Sequence, residues 1–212
     1  NIYYLLNDIH VMKYLSLLLF IGFALGQKYD PKTGKLLNLY KPRGLKVIGG
    51  INFSSIKYIN PKDSITSYKR GYKIGLESNF NNLYGGLIFQ QRGGKVKFGE
   101  NNKFEIEYNY LSFHLLLPTI RITSKTKFLL GLQNGFFISG KRSSEKNDEG
   151  SLYILDANSY NNDLGILLGI NYKFKKRIRF RTSYFLGFEK VKKTEHENNW
   201  RNNTLSFSVI YI

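Results

Sequence analysis

The chain has no cysteine, and among its 212 residues there are one methionine, one tryptophan and four prolines. The missing thiols exclude disulfides, thiol catalysis, cysteine metal sites and a lipid anchor on an amino-terminal cysteine. No uninterrupted apolar run reaches the roughly 20 residues of a membrane-crossing helix, and mean hydropathy is slightly negative at −0.31. A helical membrane bundle is therefore excluded. A membrane β-barrel is not, because only every second residue of its strands must be apolar. Acid is scarce: 15 Asp and Glu face 32 Lys and Arg, for a net charge of +17. Such a charge suits nucleic acid, anionic lipid or a solvated surface, and targeting decides between them.

What is abundant is glycine (20), tyrosine (16) and phenylalanine (16). The single Met12 is followed by Lys13, a mostly apolar stretch over 14–24, and small residues at Ala24 and Gly26. That order is a secretory signal peptide with cleavage expected after Gly26, leaving residues 1–11 as upstream sequence. Export argues against nucleic acid as a partner. Residues 27–43 carry Pro31 and Pro42 and read as a short periplasmic leader.

From residue 44 onward the pattern has period two, the signature of strands. In 164–173, Leu164, Ile166, Leu168, Ile170 and Tyr172 alternate with Gly165, Leu167, Gly169, Asn171 and Lys173. In 178–187, Ile178, Phe180, Tyr184 and Leu186 alternate with Arg179, Arg181, Ser183 and Phe185; at the end, Leu205, Phe207, Val209 and Tyr211 alternate with Ser206, Ser208 and Ile210. Earlier strands are expected over 44–53, 70–80, 83–91, 104–122 and 127–139. Pro118 falls inside the fourth. Proline cannot donate to the ladder, so a bulge is expected there, returning Ile120 and Ile122 to the apolar face. Gly93-Gly94 reads as a turn within a loop over 92–103, and 140–162 as the longest loop.

The count is eight, with connections alternating long and short. An even number of strands, most of them near the 9–11 residues that cross a bilayer, predicts an all-β fold: an eight-stranded antiparallel transmembrane β-barrel of up-and-down meander topology over 44–212. Short turns then face the periplasm and long loops the outside, and the chain belongs in the outer membrane.

Several stretches carry a family resemblance: YKIGLE at 72–77, GLIFQQRG at 86–93, YLSFHLLL at 110–117, FLLG at 128–131, DLGILLGI at 163–170 and LSFSV at 205–209. With these the chain resembles the PorT-like outer-membrane β-barrel family over 44–212. The departures are His114 in the strand-four slot where that family often has proline, and a terminal Tyr211-Ile212 in place of a final aromatic. The resemblance implies the barrel fold and membrane; it assigns no activity.

Chemistry is sparse. Ser112 and His114 share a face of strand four, but that face is the lumen, away from any acyl chain, and a triad is recognised by geometry, not spacing. No catalytic residue is expected. The three histidines, His10, His114 and His196, lie far apart, so no metal and no cofactor are expected. Lys73, Glu77, His114, Arg179 and Arg181 fall on the lumen faces. An eight-stranded barrel is just wide enough for side chains to fill it, and buried charge needs partners. These five are expected to form a structural ion network in which Glu77 accepts from Arg179 or Arg181 and plugs the lumen. Lys141, Arg142 and Lys146, with Lys190, Lys192 and Lys193, lie in the long loops, where they suit either phosphates of outer-leaflet glycolipid or a solvated charged surface. Expected partners are thus outer-membrane lipids, glycolipid phosphates and envelope proteins. The leading expectation is a non-enzymatic barrel that anchors, recognises or assists assembly through its external loops. The alternatives are a lipid-modifying barrel enzyme and a secreted soluble barrel carrying a small ligand.

Overall fold

The computed structural model describes residues 28–29, 36–37, 44–58, 64–80, 83–98, 102–146, 149–155, 162–188 and 200–212. The expected signal segment lies outside them. Of the expected leader, β1 (Lys28–Tyr29) and β2 (Leu36–Leu37) pair with each other, antiparallel; they belong to a unit separate from residues 44–212.

The second unit is a closed antiparallel barrel. Its wall strands are β3 (Leu45–Tyr58), β5 (Lys69–Phe80), β6 (Leu83–Phe98), β7 (Asn102–Arg121), β8 (Thr126–Lys146), β10 (Asp163–Lys173), β11 (Ile178–Gly187) and β12 (Trp200–Tyr211). Each pairs with the next along the chain, and β12 returns to β3, which closes the ring. Closure leaves no lipid-exposed ladder edge, the condition for a sheet to cross hydrocarbon. Two short strands, β4 (Ser64–Ser67) on β6 and β9 (Glu149–Ile154) on β8, widen one end of the sheet.

Side-chain alternation sorts the wall into two faces. Tyr72, Ile74, Leu76, Leu87, Leu117, Leu130, Leu132, Ile170, Phe180, Phe207 and Val209 all point out and are exposed. In water such a belt would be an aggregation surface; around a closed barrel it is the lipid-facing band. The β7–β8 register shifts twice: at Asn109 and Tyr110, which oppose Ser139 and Phe137 so that Ile138 of β8 is extra, and between Pro118 and Ile120, which oppose Leu129 and Phe128 so that Thr119 of β7 is extra. Ile120 and Ile122 are thereby returned to the exposed face.

Two expectations need correction at the long-loop end. Residues 92–103 are not a loop: β6 runs on to Phe98 and β7 begins at Asn102. Gly93 sits inside β6 with φ 148°, a left-handed conformation that side chains rarely adopt. There β6 exchanges its partner, from β5 (Lys73 opposite Gln90) to β4 (Ser67 opposite Lys95). Nor is 140–162 simply a loop, since β8 continues to Lys146 and folds back as β9. The 20 residues of β7 span about 65 Å of strand, so this end of the wall stands well clear of the hydrocarbon. The long loop expected to carry Lys190, Lys192 and Lys193 lies outside the described residues; β12 begins at Trp200.

The lumen holds more than the expected ion network. It holds three apolar clusters: Ile48, Ile88 and Ile210; Tyr84, Leu116, Leu129, Leu167 and Phe185; and Ile56, Val96, Phe104, Ile106, Tyr108 and Tyr110. Between them lie the buried polar groups.

Candidate functional site

Glu77 is the centre of the buried charge. It lies on the lumen face of β5 because Tyr72, Ile74 and Leu76 take the lipid side. Arg181 of β11 donates to it twice, Nη1 to Oε2 at 2.6 Å and Nη2 to Oε1 at 3.0 Å. His114 Nε2 lies 3.0 Å from Oε2, and Lys46 Nζ is 3.6 Å from Oε1. All four groups are buried. Three strands besides its own are thus tied to one carboxylate. His114 has room because residue 86, opposite it on β6, is glycine: a Cβ there would stand 2.7 Å from His114 Cε1.

Of the five residues singled out from sequence, Glu77, His114 and Arg181 come together. Lys73 is buried beside them but forms no ion pair among the described residues, and half-buried Arg179 forms none either. Lys46 was missed, although its alternation with Leu45 and Val47 marks it as a lumen residue. A second buried pair was also missed: Arg92 Nη1 donates to Asp163, which accepts from Asn202 Nδ2 at 2.9 Å as well. The Arg92 guanidinium lies 3.8 Å from the Phe185 ring centroid. Reading 92–103 as a loop hid this pair.

Several of the remaining lumen polar groups are matched to each other, while Gln133 Nε2, Asn171 Oδ1 and Ser208 Oγ are buried without a hydrogen bond among the described residues. Gln90 donates to Ser112 Oγ, Ser206 donates to Asn52 Oδ1 at 2.8 Å, and Thr204 donates to Ser54 at 3.1 Å. Ser112 and His114 therefore face different partners, Gln90 and Glu77, and both are fully buried. Among the described residues no three His, Asp or Glu side chains gather to hold a metal.

Beyond the belt, at the long-loop end of the strands, Lys69 meets both Glu105 and Glu107, the latter at 3.1 Å. Burial works against the Lys69 ammonium, but its hydrogen bonds to the two carboxylates outweigh this and raise its pKa above 10.5. Burial likewise opposes the Glu105 carboxylate, and hydrogen bonds from Lys69 and Lys95 outweigh it, lowering the pKa below 4.5. Of the basic residues assigned to the long loops, Lys141 is 3.5 Å from Glu107 and Arg142 lies 4.5 Å from the Phe104 ring centroid. The Lys146 side chain and Lys190, Lys192 and Lys193 lie outside the described residues. A recess of about 360 Å³ opens at this end, lined by Ser67, Lys95, Lys97, Lys103, Glu105 and Ser143 among others.

No protein-family model and no curated protein matches the chain. Solved structures do. Neisserial surface protein A (NspA) aligns over 81% of this chain and 98% of its own, at 16% identity and a TM-score of 0.54. Ail, the attachment invasion locus protein of Yersinia pestis, aligns over 79% and 96% at 15% identity, with a TM-score of 0.46. The outer membrane protein OprG from Pseudomonas aeruginosa aligns over 82% and 95% at 11% identity, with a TM-score of 0.38. The NspA likeness is one of fold. Joined to the closed ring and its apolar belt, it identifies the chain as an outer-membrane β-barrel.

Proposed function

We propose that this chain is a non-enzymatic outer-membrane barrel with a plugged lumen, acting in anchoring, recognition or assembly through the strand ends and loops on its tall side. The observation that carries the reading is the Glu77 cluster. It joins β3, β5, β7 and β11 across the lumen, with apolar clusters packed beside it. A lumen filled in this way has no room for a through-path. The motif resemblance supports a place among PorT-like barrels, and the short connections support an orientation with those turns in the periplasm. Single-channel recording in planar bilayers tests the plug: no stable conductance is expected, and a steady open level overturns it.

The outer recess supports glycolipid phosphate as the partner on that side. Lys97 and Lys103 are directly opposite each other in the ladder and exposed. Like charges placed so repel, and a bridging phosphate relieves that. Binding to intact and dephosphorylated glycolipid should differ, and the difference should vanish in a K97Q/K103Q variant; equal binding to both glycolipids removes this partner.

A further inference from the structure

The opposite, short-turn end carries a charge pattern that the reading above leaves unused. No Asp or Glu occurs between Glu107 and Glu145, or between Asp163 and Glu189. Both spans pass through this end of the barrel. The turn between β7 and β8 presents Arg121 and Lys125, and that between β10 and β11 presents Lys173, Lys175, Lys176 and Arg177; all six are exposed. The two turns are neighbours, since β8 pairs with β10, and Lys173 N donates to Lys125 O at 2.8 Å. Six cations thus share one small surface with no Asp or Glu side chain among the described residues of these two turns to offset them. On the opposite flank of the same end, the described parts of β3, β5, β6 and β12 add one cation, Lys46, which is turned into the lumen toward Glu77.

We propose that this one-sided basic surface binds the headgroup of an anionic phospholipid. The choice of a lipid rests on depth. Tyr172, Phe174, Phe180 and Ile122, which flank the cations, are exposed and apolar. Phe174 and Phe180 stack at 5.4 Å, and Lys175 Nζ lies 5.6 Å from the Phe174 ring centroid. Aromatic side chains on the outer wall near strand ends mark the membrane interface. The turns close within a few residues, Phe174 N bonding to Ile178 O at 3.1 Å, so the charges stay at headgroup level. A phosphodiester there receives charge-assisted hydrogen bonds from Lys and Arg. The assignment to a phospholipid leaflet rests on the orientation proposed above; the binding itself does not.

The test uses the full-length protein in nanodiscs that mix phosphatidylethanolamine with phosphatidylglycerol or with cardiolipin, released into native mass spectrometry. Wild type should retain anionic lipid in preference to phosphatidylethanolamine, and comparison of the two anionic lipids separates a single phosphodiester from a double one. K175Q/K176Q/R177Q should lose about tenfold or more of that preference, while K57Q/R70Q/R201Q, with the same change in charge at exposed positions toward the other end, should keep it. If the turn variant folds poorly, K176E serves in its place. Absence of preference in wild type, retention in the turn variants or equal loss in the control overturns the proposal; the first outcome would leave the surface to an acidic protein. Lys176→Cys, in a chain without other cysteine, checks the orientation with an impermeant maleimide. No labelling of intact cells is expected, and labelling would overturn the phospholipid leaflet whatever the nanodisc result.

Discussion

Arg181 reaches Glu77 through a bidentate contact, 2.6 and 3.0 Å, between strands 104 residues apart. The same carboxylate faces His114 and Lys46, and buried Lys73 lies close by. Glu77 therefore offsets more than one cation. Breaking one partner of a buried pair costs about 3–5 kcal/mol because the other is left uncompensated. Glu77→Gln should lower the unfolding free energy by at least that much, since several cations lose their partner at once. The double replacement E77M/R181M should be milder than E77Q alone. Urea titration of the folded barrel, read by heat-modifiable gel mobility, checks both; a double variant as damaged as the single would show that the contact carries no net coupling.

Gly86 and His114 form a steric pair. A Cβ at residue 86 would meet His114 Cε1 at 2.7 Å and Leu76 O at 2.9 Å. Overpacking of this kind costs about 1–3 kcal/mol. Gly86→Ala should destabilise by that amount, and the same change should cost less in an H114A background, where the ring is gone, than in the parent. The part due to Leu76 O should persist. Equal unfolding midpoints for G86A and the parent would mean that the wall relaxes freely at this point.

Much of the wall was legible in the sequence because each strand reports its own faces. Tyr72, Ile74 and Leu76 turn outward, so Lys73 and Glu77 turn inward, and no distant information is needed. What inward residues meet is another matter. Partners across a lumen depend on the stagger of the strands around the ring, a property of closure and not of any one strand. Arg92 and Asp163 are 71 residues apart, and neither shows the other in its local pattern. Leu116, Leu129 and Leu167 sit in strands apolar on both faces, so alternation is weak there and the apolar filling of the lumen is hidden. Gly93-Gly94 looks like a turn because glycine permits one. In the structure Gly93 instead lets β6 change partner without ending.

Lys69 and Glu105 give a pH prediction outside the membrane belt. The carboxylate titrates below 4.5 when folded, so its contribution is present above the unfolded pKa and fades as pH falls through the lower folded value. The ammonium titrates above 10.5 when folded, so its contribution is complete below that value and fades only as pH rises through the higher folded one. Between about pH 5 and pH 10 the long-loop ends of these strands should show constant protection. Hydrogen exchange over 102–108, corrected for intrinsic rate, should rise on going to about pH 3. In Glu105→Gln it should be high already at neutral pH and change less. Unchanged protection in acid would remove this pair as the clamp of the long-loop end.

Thr119 is the last test, and it bears on how phase is kept along the longest strands. Leu111, Phe113, Leu115 and Leu117 occupy odd positions on the lipid face, and Ile120 and Ile122 even ones. The bulge absorbs the change of parity, because Pro118 opposes Leu129 and Ile120 opposes Phe128. Deleting Thr119 joins Pro118 to Ile120 and leaves both opposite the same partners. The variant should fold within about 1 kcal/mol of the parent. One alanine inserted between Phe113 and His114 does the reverse. It drives hydrophobic residues of the lipid face into a filled lumen and carries His114 away from Glu77. That variant should fail to give the folded, heat-modifiable band. If the deletion failed as completely as the insertion, Thr119 would be holding the strand by more than its count, and the bulge would be a structural requirement in its own right.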